Sequence, residues 1–474
     1  MIETILFYIG LVVEIFGKVR HYFNPNKEKA EKSFFCEQIR RIFVILRKFS
    51  NTMEKSDCLY NSYLNILKEE LVPAMGCTEP ICLAYAAAKA RKVLGSLPKK
   101  VEIEASGNII KNVKSVIVPN TDGMKGLKAS LAAGIVAGKP EKVLEVIADV
   151  KPEQKKDIAD FLENTPIVVK PLDCVARLDV TVRLFDGEHS AMVRIAGHHT
   201  NIVCVKKDDE TLFDCPCSDT NANMTDRSCL KMDKIYDFAS TADIEDLRPI
   251  IGRQMTFNKA IAMEGLKNDW GANVGSTILR CGVDIRQKAK AWAAAGSDAR
   301  MSGCEMPVII NSGSGNQGMT VCLPILAFAE EFNVDEERTI RAVALSNLVA
   351  IHQKTGIGRL SAYCGAVSAG CASGCGIAFL FGHGLDVIEH TLENALGMAA
   401  GIVCDGAKPS CAGKIALSVE AGLLGFEMSK HGDNLLGGDG IIGCDAEETI
   451  DHIGRLGRLG MKETDVEILK IMVE

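Results

Sequence analysis

Three cysteines in the C-terminal half, Cys364, Cys404 and Cys411, have a spacing that suits an iron–sulfur cluster. Cys404 and Cys411 frame a loop in which Gly406 and Pro409 break regular structure, and Cys364 lies 40 residues before Cys404. One helix and a return helix would bring the three thiolates together. A four-iron cluster with three protein ligands keeps one iron open as a Lewis acid. Spacing alone also allows buried structural cysteines, because free cysteine is among the most buried residue types.

A fourth cysteine, Cys77, occupies the turn G-C-T-E-P, which leads into an alanine-rich helix. The sequence predicts Thr78 as the N-cap of this helix and places Pro80 in its first turn. The pKa of a thiol falls beside a helix N-terminus, because the helix dipole stabilises the thiolate. We therefore expect Cys77 to be a reactive thiol, whereas Cys82, one turn further on, should pack in the core.

The segment N-S-G-S-G-N-Q-G at residues 311–318 is the best candidate for binding an anion. It connects a short apolar run to the start of a helix, so backbone N–H groups and side-chain amides would meet at a positive helix end. It is neither a Walker motif nor the dinucleotide fingerprint, which needs a surrounding βαβ unit. We expect a ligand site rather than a flexible linker, with contacts from Ser312, Gly313, Ser314, Gly315, Asn316 and Gln317.

The composition indicates a cysteine-rich protein of a reducing compartment. The chain has 18 cysteines among 474 residues and no convincing secretory signal, so we expect metal or redox chemistry in the cytoplasm rather than disulfides. A formal net charge of −7 excludes a broad electrostatic footprint for nucleic acid. The 43 glycines and the aromatic fraction of 5% indicate closely packed helices rich in small residues.

Residues 1–52 differ in character from the remainder of the chain. An apolar run near the N-terminus is short for a membrane span and contains Glu14, and a basic amphipathic segment follows it. A membrane-surface helix is one interpretation. We favour the other, that the reading frame is over-extended and Met53 is the true start, so that no membrane partner is expected.

The sequence patterns that predict helices and strands around these residues indicate an α+β fold with two domains. Residues 53–242, which include the G-C-T-E-P turn, should form a small α+β domain with antiparallel strands, among them 101–106, 113–119 and a hairpin around Gly187. Residues 243–474 have helical periodicity, which predicts a larger, mostly helical domain carrying the cluster. The expected helices lie at 123–137, 152–163, 244–267, 283–296, 319–332, 336–351, 359–381, 387–403 and 411–428.

The C-terminal half resembles the α domain of the iron–sulfur L-serine dehydratases, which do not use pyridoxal phosphate. The run N-S-G-S-G-N-Q-G-M-T-V-C-L-P is similar to that family's A-P-T-N-G-A-x-G-I-x-P segment, and I-V-C-D-G-A-K-P-S-C is similar to its L-T-C-D-P-I-G-G segment and a following cysteine. Lys354 and L-S-A-Y-C-G resemble its Lys and V-G-C-Q-G region. The match implies a [4Fe-4S] cluster with three ligands, Cys364, Cys404 and Cys411, and no ligand role for Cys371.

The motif L-V-P-A-M-G-C-T-E-P-I, together with S-G-S-G-N-Q-G and G-H-H-T-N-I, resembles the L-cysteine desulfidase branch of these enzymes. Serine dehydratases carry S-S-H-T-x-G-P near their N-terminus, so Cys77 stands where that family has an imidazole. The resemblance covers about residues 60–430 and rests on several separated motifs in order. It implies β-elimination of L-cysteine to sulfide, ammonia and pyruvate.

The resemblance also implies roles for the candidate residues. The open iron would act as a Lewis acid on the substrate, and residues 311–318, with Thr78 and Glu79, would bind it. Cys77 would be the base that removes the α-proton, or a fourth cluster ligand that the substrate displaces. Both roles for Cys77 stay open.

Lys354 and His198 are additional catalytic candidates, although such a lysine is usually solvated and such a histidine is often only hydrogen-bonded. Because G-H-H-T-N-I belongs to the match, His198 or His199 is expected near the site. Two other functions stay open, an L-serine dehydratase of the same mechanism and a non-catalytic iron–sulfur sensor. The expected partners are a small amino-acid substrate and a second copy of the chain in a homodimer.

Overall fold

The computed structural model describes residues 53–172, 178–215, 224–358 and 360–473. The expectations for residues 1–52 lie outside these described residues. Within them the chain is an α+β protein, as predicted, with a six-stranded sheet in its N-terminal part and a larger helical region after it. No helix in the described ranges is long and apolar enough to cross a membrane.

The helices and strands are numbered in chain order. The α-helices are α1 Cys58–Glu70, α2 Thr78–Leu94, α3 Gly107–Val113, α4 Gly126–Ala137, α5 Pro152–Asn164, α6 Met232–Thr241, α7 Ile244–Lys267, α8 Val274–Cys281, α9 Ile285–Met301, α10 Gly315–Thr320, α11 Leu323–Glu331, α12 Glu336–Ile357, α13 Gly365–Leu380, α14 Leu385–Ala399, α15 Ser410–His431, α16 Ala446–Arg455 and α17 Lys462–Val473. The strands are β1 Pro73–Met75, β2 Lys100–Ser106, β3 Ile167–Leu172, β4 Asp179–Asp186, β5 His189–Ala196, β6 Ile202–Lys207, β7 Glu210–Asp214 and β8 Pro307–Ile309.

The larger sheet has the strand order β3-β2-β4-β5-β6-β7, and its neighbours are antiparallel except for the parallel pair β2 and β3. The predicted hairpin is confirmed, because β4 and β5 pair from Asp186 opposite His189 onwards, around a turn in which Gly187 has a φ of +63°. Helix α2 packs against β4 and β5 and is buried along most of its length. The sheet therefore holds the helix that follows the G-C-T-E-P turn.

The predicted strand at 113–119 is wrong. Helix α3 ends at Val113, and among the described residues beyond it Ile117 makes a single bridge to Lys125. The apolar residues of this stretch, Val116 and Val118, are buried in a connection between helices. Their alternation therefore reflects burial of one side of a connecting segment and not the pairing of a strand.

The predicted helix at 319–332 is also wrong in detail, because the structure divides it into α10, which ends at Thr320, and α11, which begins at Leu323. Pro324 lacks a backbone N–H and favours the first turn of a new helix over the interior of a continuous one. The predicted helix at 359–381 begins later, at Gly365.

Close packing of α13 against α15 determines how the ends of these helices meet. A Cβ atom added to Gly370 would clash with the backbone of Ser418, and one added to Gly374 would clash with the backbone of Gly422. The two contacts follow the same order along both helices, so α13 and α15 are parallel and their N-terminal ends lie side by side. Glycine is required at this interface because the backbones approach closely.

This packing brings the candidate ligand cysteines together. Cys364 directly precedes α13, and Cys411 lies in the first turn of α15. The backbone N–H of Cys404 donates to the carbonyl oxygen of Ala362 (2.7 Å), and the N–H of Cys364 donates to that of Ile402 (3.1 Å). An outgoing helix, a returning helix and this short extended contact therefore place all three cysteines at one end of the helical region.

We expect Gly374→Ala to destabilise the protein by about 1–3 kcal/mol, because the new methyl group meets the carbonyl of Gly422 in a closely packed interface. Gly413→Ala on α15 is the matched control. Apart from the backbone of its own helix, no atom of the described residues lies within 4 Å of the Cβ position at Gly413, so its substitution should stabilise the helix by up to about 1 kcal/mol. Thermal unfolding of the two variants measures the difference, and a Gly374→Ala protein as stable as the control would contradict this packing.

A second, two-stranded sheet links the two parts of the chain. Strand β1 pairs antiparallel with β8, with Ala74 opposite Val308. After β1 the chain turns at Gly76, whose φ is +66°, and the hydroxyl of Thr78 then donates to the carbonyl oxygen of Gly313 (2.9 Å). The G-C-T-E-P turn and the 311–318 segment are therefore in direct contact.

Candidate active site

A cavity in the described residues brings most of the candidate residues together. It lies between the turn before α2, the 311–318 segment and the N-terminal ends of α13 and α15, and its volume is about 100 Å³. One buried water needs roughly 10–15 Å³, so the cavity has room for a larger group. The candidate residues that line it are Cys77, Glu79, Ser314, Asn316, Gln317, Lys354, Cys364, Cys404 and Cys411. The candidates outside its lining are Thr78, His198, Ser312, Gly313 and Gly315.

The thiols of the three candidate ligands interact electrostatically. A hydrogen bond between Cys364 and Cys404 lowers the pKa of Cys404 and raises that of Cys364, whose burial raises it further. The positive charges of Lys111 and Lys414 also lower the pKa of Cys404. Burial raises the pKa of Cys411 to about 11. Cys404 is therefore the thiol of this group that most readily becomes a thiolate.

The donor set fits an iron–sulfur cluster better than a single metal ion. Among the described residues no three His, Cys, Asp or Glu side chains are grouped closely enough to share one ion. In a cluster each cysteine binds a different iron, so its ligands stand around a cavity rather than around a point. Cys364, Cys404 and Cys411 all line one cavity and all offer sulfur, the donor that iron–sulfur clusters require.

Cys77 lies at the start of α2, but one position differs from the prediction. The N-cap residue of α2 is Cys77, with φ and ψ of −75° and 134°, and Thr78 is the first residue of the helix. Thr78 cannot act as the N-cap because its hydroxyl is directed at Gly313. Pro80 lies in the first turn, as predicted.

The pKa of Cys77 is raised, contrary to the expected lowering. Burial is the largest cause, and the negative charge of Glu79 adds to it, whereas Arg300 acts in the opposite direction. The thiol donates a hydrogen bond to Glu79 Oε2 (3.0 Å). The helix dipole is worth about 0.3–1 kcal/mol at an exposed site, which is too little to offset complete burial beside a carboxylate.

Glu79 is a buried carboxylate that accepts hydrogen bonds from several sides. Its oxygens accept from the Cys77 thiol and from Asn112 Nδ2 (2.9 Å), and the Thr78 hydroxyl, which donates to Gly313, lies 3.1 Å from Glu79 Oε2. Burial would raise its pKa, but the interactions with His199 and Cys77 outweigh burial and lower it. Glu79 is therefore ionised and holds the Cys77 thiol in a fixed orientation.

Of the two adjacent histidines, His199 is the one near the site. Its Nε2 lies 3.9 Å from Glu79 Oε1, which is long for a hydrogen bond, and that nitrogen is buried with no hydrogen-bond partner among the described residues. At this distance the attraction between the ring and the carboxylate is electrostatic. His198 lies in the turn between β5 and β6, outside the cavity lining.

The 311–318 segment divides into a part that braces it from within and a part that lines the cavity. Asn311 Nδ2 donates to Asn347 Oδ1 (2.8 Å), and the hydroxyl of Ser312 donates to Asn311 Oδ1 (2.8 Å). Ser312 therefore braces the segment and does not face a ligand. Ser314, Asn316 and Gln317 line the cavity.

The comparison with known families shows which family the chain belongs to. The profile of the serine dehydratase alpha chain family matches residues 141–470. The chain belongs to this family. It is the subunit family of the iron–sulfur type of serine dehydratase. The matched range includes Cys364, Cys404 and Cys411 but not Cys77.

Related proteins match over nearly their whole length but are named only as UPF0597 proteins. One from Desulfitobacterium hafniense is 54% identical over 423 residues, which cover 89% of this chain and 98% of the relative. Those of Lachnoclostridium phytofermentans and Finegoldia magna are 48% and 47% identical, covering 88% and 87% of this chain and 100% and 99% of the relatives. These names assign no reaction. The match to the serine dehydratase alpha chain family is what supports a serine dehydratase-like lyase.

In this member of the serine dehydratase alpha chain family, the sequence did not indicate several residues that line the cavity. They are polar side chains from α3, from α9 and from the residue before Cys364: Asn108, Lys111, Asn112, Arg300 and Tyr363. The one available signal lay in α9, where an unbroken run of small residues before Arg300 indicates that the end of this helix is buried. No motif marks the others.

Proposed function

We propose that this protein is an iron–sulfur-dependent lyase that eliminates sulfide from L-cysteine, with pyruvate and ammonia as the other products. The observation that supports it most is the position of Cys77, whose thiol lines the same cavity as the three cysteines that the family profile includes. The resemblance of the G-C-T-E-P motif to L-cysteine desulfidases supports the choice of cysteine as the substrate.

The cluster would be held by Cys364, Cys404 and Cys411. When bound, a [4Fe-4S] cluster with three protein ligands supplies an open iron that acts as a Lewis acid toward the leaving group. The lysines of this region, among them Lys111 and Lys414, place positive charge near Cys404 and thereby favour its thiolate form.

The substrate would be oriented by polar residues of the 311–318 segment that line the same cavity. Ser314, Asn316 and Gln317 line the cavity with polar side chains, on a segment that Asn347 braces. Holding the amino acid by its carboxylate fixes the position of the α-hydrogen relative to the base. Thr78 supports this segment through its hydrogen bond to Gly313.

Cys77 would accept the α-proton. In the resting protein it is a thiol that donates to Glu79 Oε2 (3.0 Å), so it acts as a base only after losing this proton to water. Breaking the Cα–H bond leaves its electron pair to form the Cα–Cβ double bond, and the sulfur departs with the electrons of the C–S bond. The product, aminoacrylate, takes up water and yields pyruvate and ammonia. Lys354 also lines the cavity and is a second candidate for proton transfer.

The family description favours a second candidate, an L-serine dehydratase of the same mechanism. It would differ in the leaving group, which is water instead of sulfide. Cys77 argues for cysteine, because the serine dehydratases have an imidazole at the matching position. We further propose that the protein acts in the cytoplasm, where thiols stay reduced.

The function is tested by isolating the protein without oxygen, measuring its iron and acid-labile sulfide, and incubating it with L-cysteine. We expect sulfide, pyruvate and ammonia in equal amounts, and we expect activity to fall on exposure to air because an open cluster iron is readily lost on oxidation. Cluster-loaded protein that releases no product from cysteine or serine would contradict an enzymatic function and favour a sensor.

A further inference from the structure

Arg300 is an unusual residue for the wall of this cavity, because its charge is buried without a matching one. The residue is 2% exposed and lies near the C-terminal end of α9. Its Nη1 donates to Asn316 Oδ1 (3.1 Å), and its Nε has no hydrogen-bond partner in the part of the chain that the structure describes. Among the described residues no carboxylate pairs with it within 4.0 Å. A buried cation is unfavourable unless it is paired, so Arg300 suits an anionic group of a ligand.

The packing around Arg300 keeps its guanidinium at the cavity wall. Gly315 lies so close that an added Cβ atom would overlap with the guanidinium of Arg300. Asn316, the next residue, provides its described hydrogen-bond acceptor. Hydrogen bonds of Asn311 hold the start of the 311–318 segment in place. Arg300, which packs against this segment, therefore has a fixed position in the cavity lining.

Two amide oxygens in the same cavity can accept hydrogen bonds from a ligand. Asn112 Nδ2 donates to the Glu79 carboxylate, which fixes the orientation of this amide. Asn112 Oδ1 and Gln317 Oε1 are both buried and have no hydrogen-bond partner within the described ranges. Both residues line the cavity with Arg300. The cavity lining therefore contains a cation, Arg300, that suits an anionic group of a ligand, and two amide oxygens, of Asn112 and Gln317, that suit a hydrogen-bond donor.

We propose that Arg300 binds the α-carboxylate of an amino-acid ligand, and that Asn112 and Gln317 accept hydrogen bonds from its α-ammonium group. This deepens the proposed function and rests on it for the identity of the reaction. A zwitterion supplies both missing partners in one molecule. Guanidinium groups bind carboxylates through two parallel N–H donors, which also fixes the orientation of the ligand. The site should therefore reject molecules that lack either charged group.

L-Alanine, L-alaninamide and propionate test this recognition separately from the reaction, because none of them has a leaving group. Isothermal titration calorimetry on the anaerobically isolated full chain should show that L-alanine binds at least about 10-fold more tightly than the other two ligands. Equal binding of L-alaninamide would overturn the role of Arg300. Equal binding of propionate would overturn the roles of Asn112 and Gln317.

Two substitutions remove the carboxylate site, and the second of them keeps the arginine and its packing. Arg300→Gln eliminates the charge, and Asn316→Asp places a carboxylate of the chain itself against Arg300. Each should weaken L-alanine binding by about 10- to 150-fold, the value of one or more charge-assisted hydrogen bonds. The melting temperature should stay unchanged or rise, because an unpaired buried charge is removed or paired.

Arg286→Ala is the matched control, since Arg286 lies on the same helix and pairs with Glu420 at the surface. It should leave L-alanine binding unchanged. Arg300→Gln and Asn316→Asp proteins that unfold earlier and still bind L-alanine normally would show a purely structural role for Arg300. If L-alanine binds as expected but neither cysteine nor serine is consumed, the proposed function fails while the zwitterion site stands.

Discussion

Single replacement of Cys364, Cys404 or Cys411 by alanine is expected to remove most of the bound iron and to abolish activity. All three thiols line one cavity, and the packing of α13 on α15 and the backbone contact between Cys404 and Ala362 hold them in place. A three-ligand cluster cannot lose one of its protein thiolates and keep its irons, of which there should be about four per chain. Iron analysis and the visible absorption of the anaerobic variants measure the loss.

Cys371→Ala is the control for this experiment. Cys371 is fully buried in α13, it does not line the cavity, and burial raises its pKa to about 12. Its replacement should therefore cost stability but leave the iron content unchanged. If the variants of Cys364, Cys404 and Cys411 all keep their full iron content, the ligand assignment is wrong.

Cys77→Ser is expected to keep most of the iron and to lose about 10²- to 10⁴-fold in kcat, the usual contribution of a general base. Serine fits the space of cysteine and can still donate a hydrogen bond to Glu79, but its hydroxyl is a far weaker acid than a thiol. The steady-state rate of sulfide release, measured beside the iron content, separates the loss of the base from the loss of the cluster.

Cys82→Ala provides the comparison for Cys77→Ser. Cys82 is fully buried in α2 and lies outside the cavity lining, so its replacement should leave kcat within a few-fold of the parent protein. Loss of the whole cluster in Cys77→Ser would instead make Cys77 a permanent ligand and transfer the role of base to another residue, with Lys354 as the first candidate.

The sequence predicted the α+β class, most of the helices and the grouping of the cysteines, because each leaves a local pattern. Glycine and proline mark the loop between Cys404 and Cys411, and the small residues of α13 allow the close helix contact that brings Cys364 to it. In the segment that follows α3, buried residues such as Val116 and Val118 alternate with less buried ones, as they would in a strand. This alternation led to the wrong prediction of a strand at 113–119.

The properties that depend on three-dimensional neighbours could not be predicted from local pattern. The helix dipole alone predicted a lowered pKa for Cys77. The pKa is raised instead, because the thiol is buried and lies beside Glu79. Arg300 belongs to the site because α9 ends beneath Gly315, a contact that no periodicity in the sequence reveals. His199 rather than His198 approaches Glu79, because a tight turn after β5 decides which of two identical neighbours points inward.

A competition between substrates tests the central claim most directly. The anaerobic protein would be given equal concentrations of L-cysteine and L-serine in one vessel, and sulfide and pyruvate would be measured over time. If cysteine is the preferred substrate, each pyruvate is accompanied by one sulfide, because elimination from cysteine releases both. Pyruvate formed in large excess over sulfide would show that serine is the preferred substrate and would contradict the account of Cys77 as the residue that adapts this fold to cysteine.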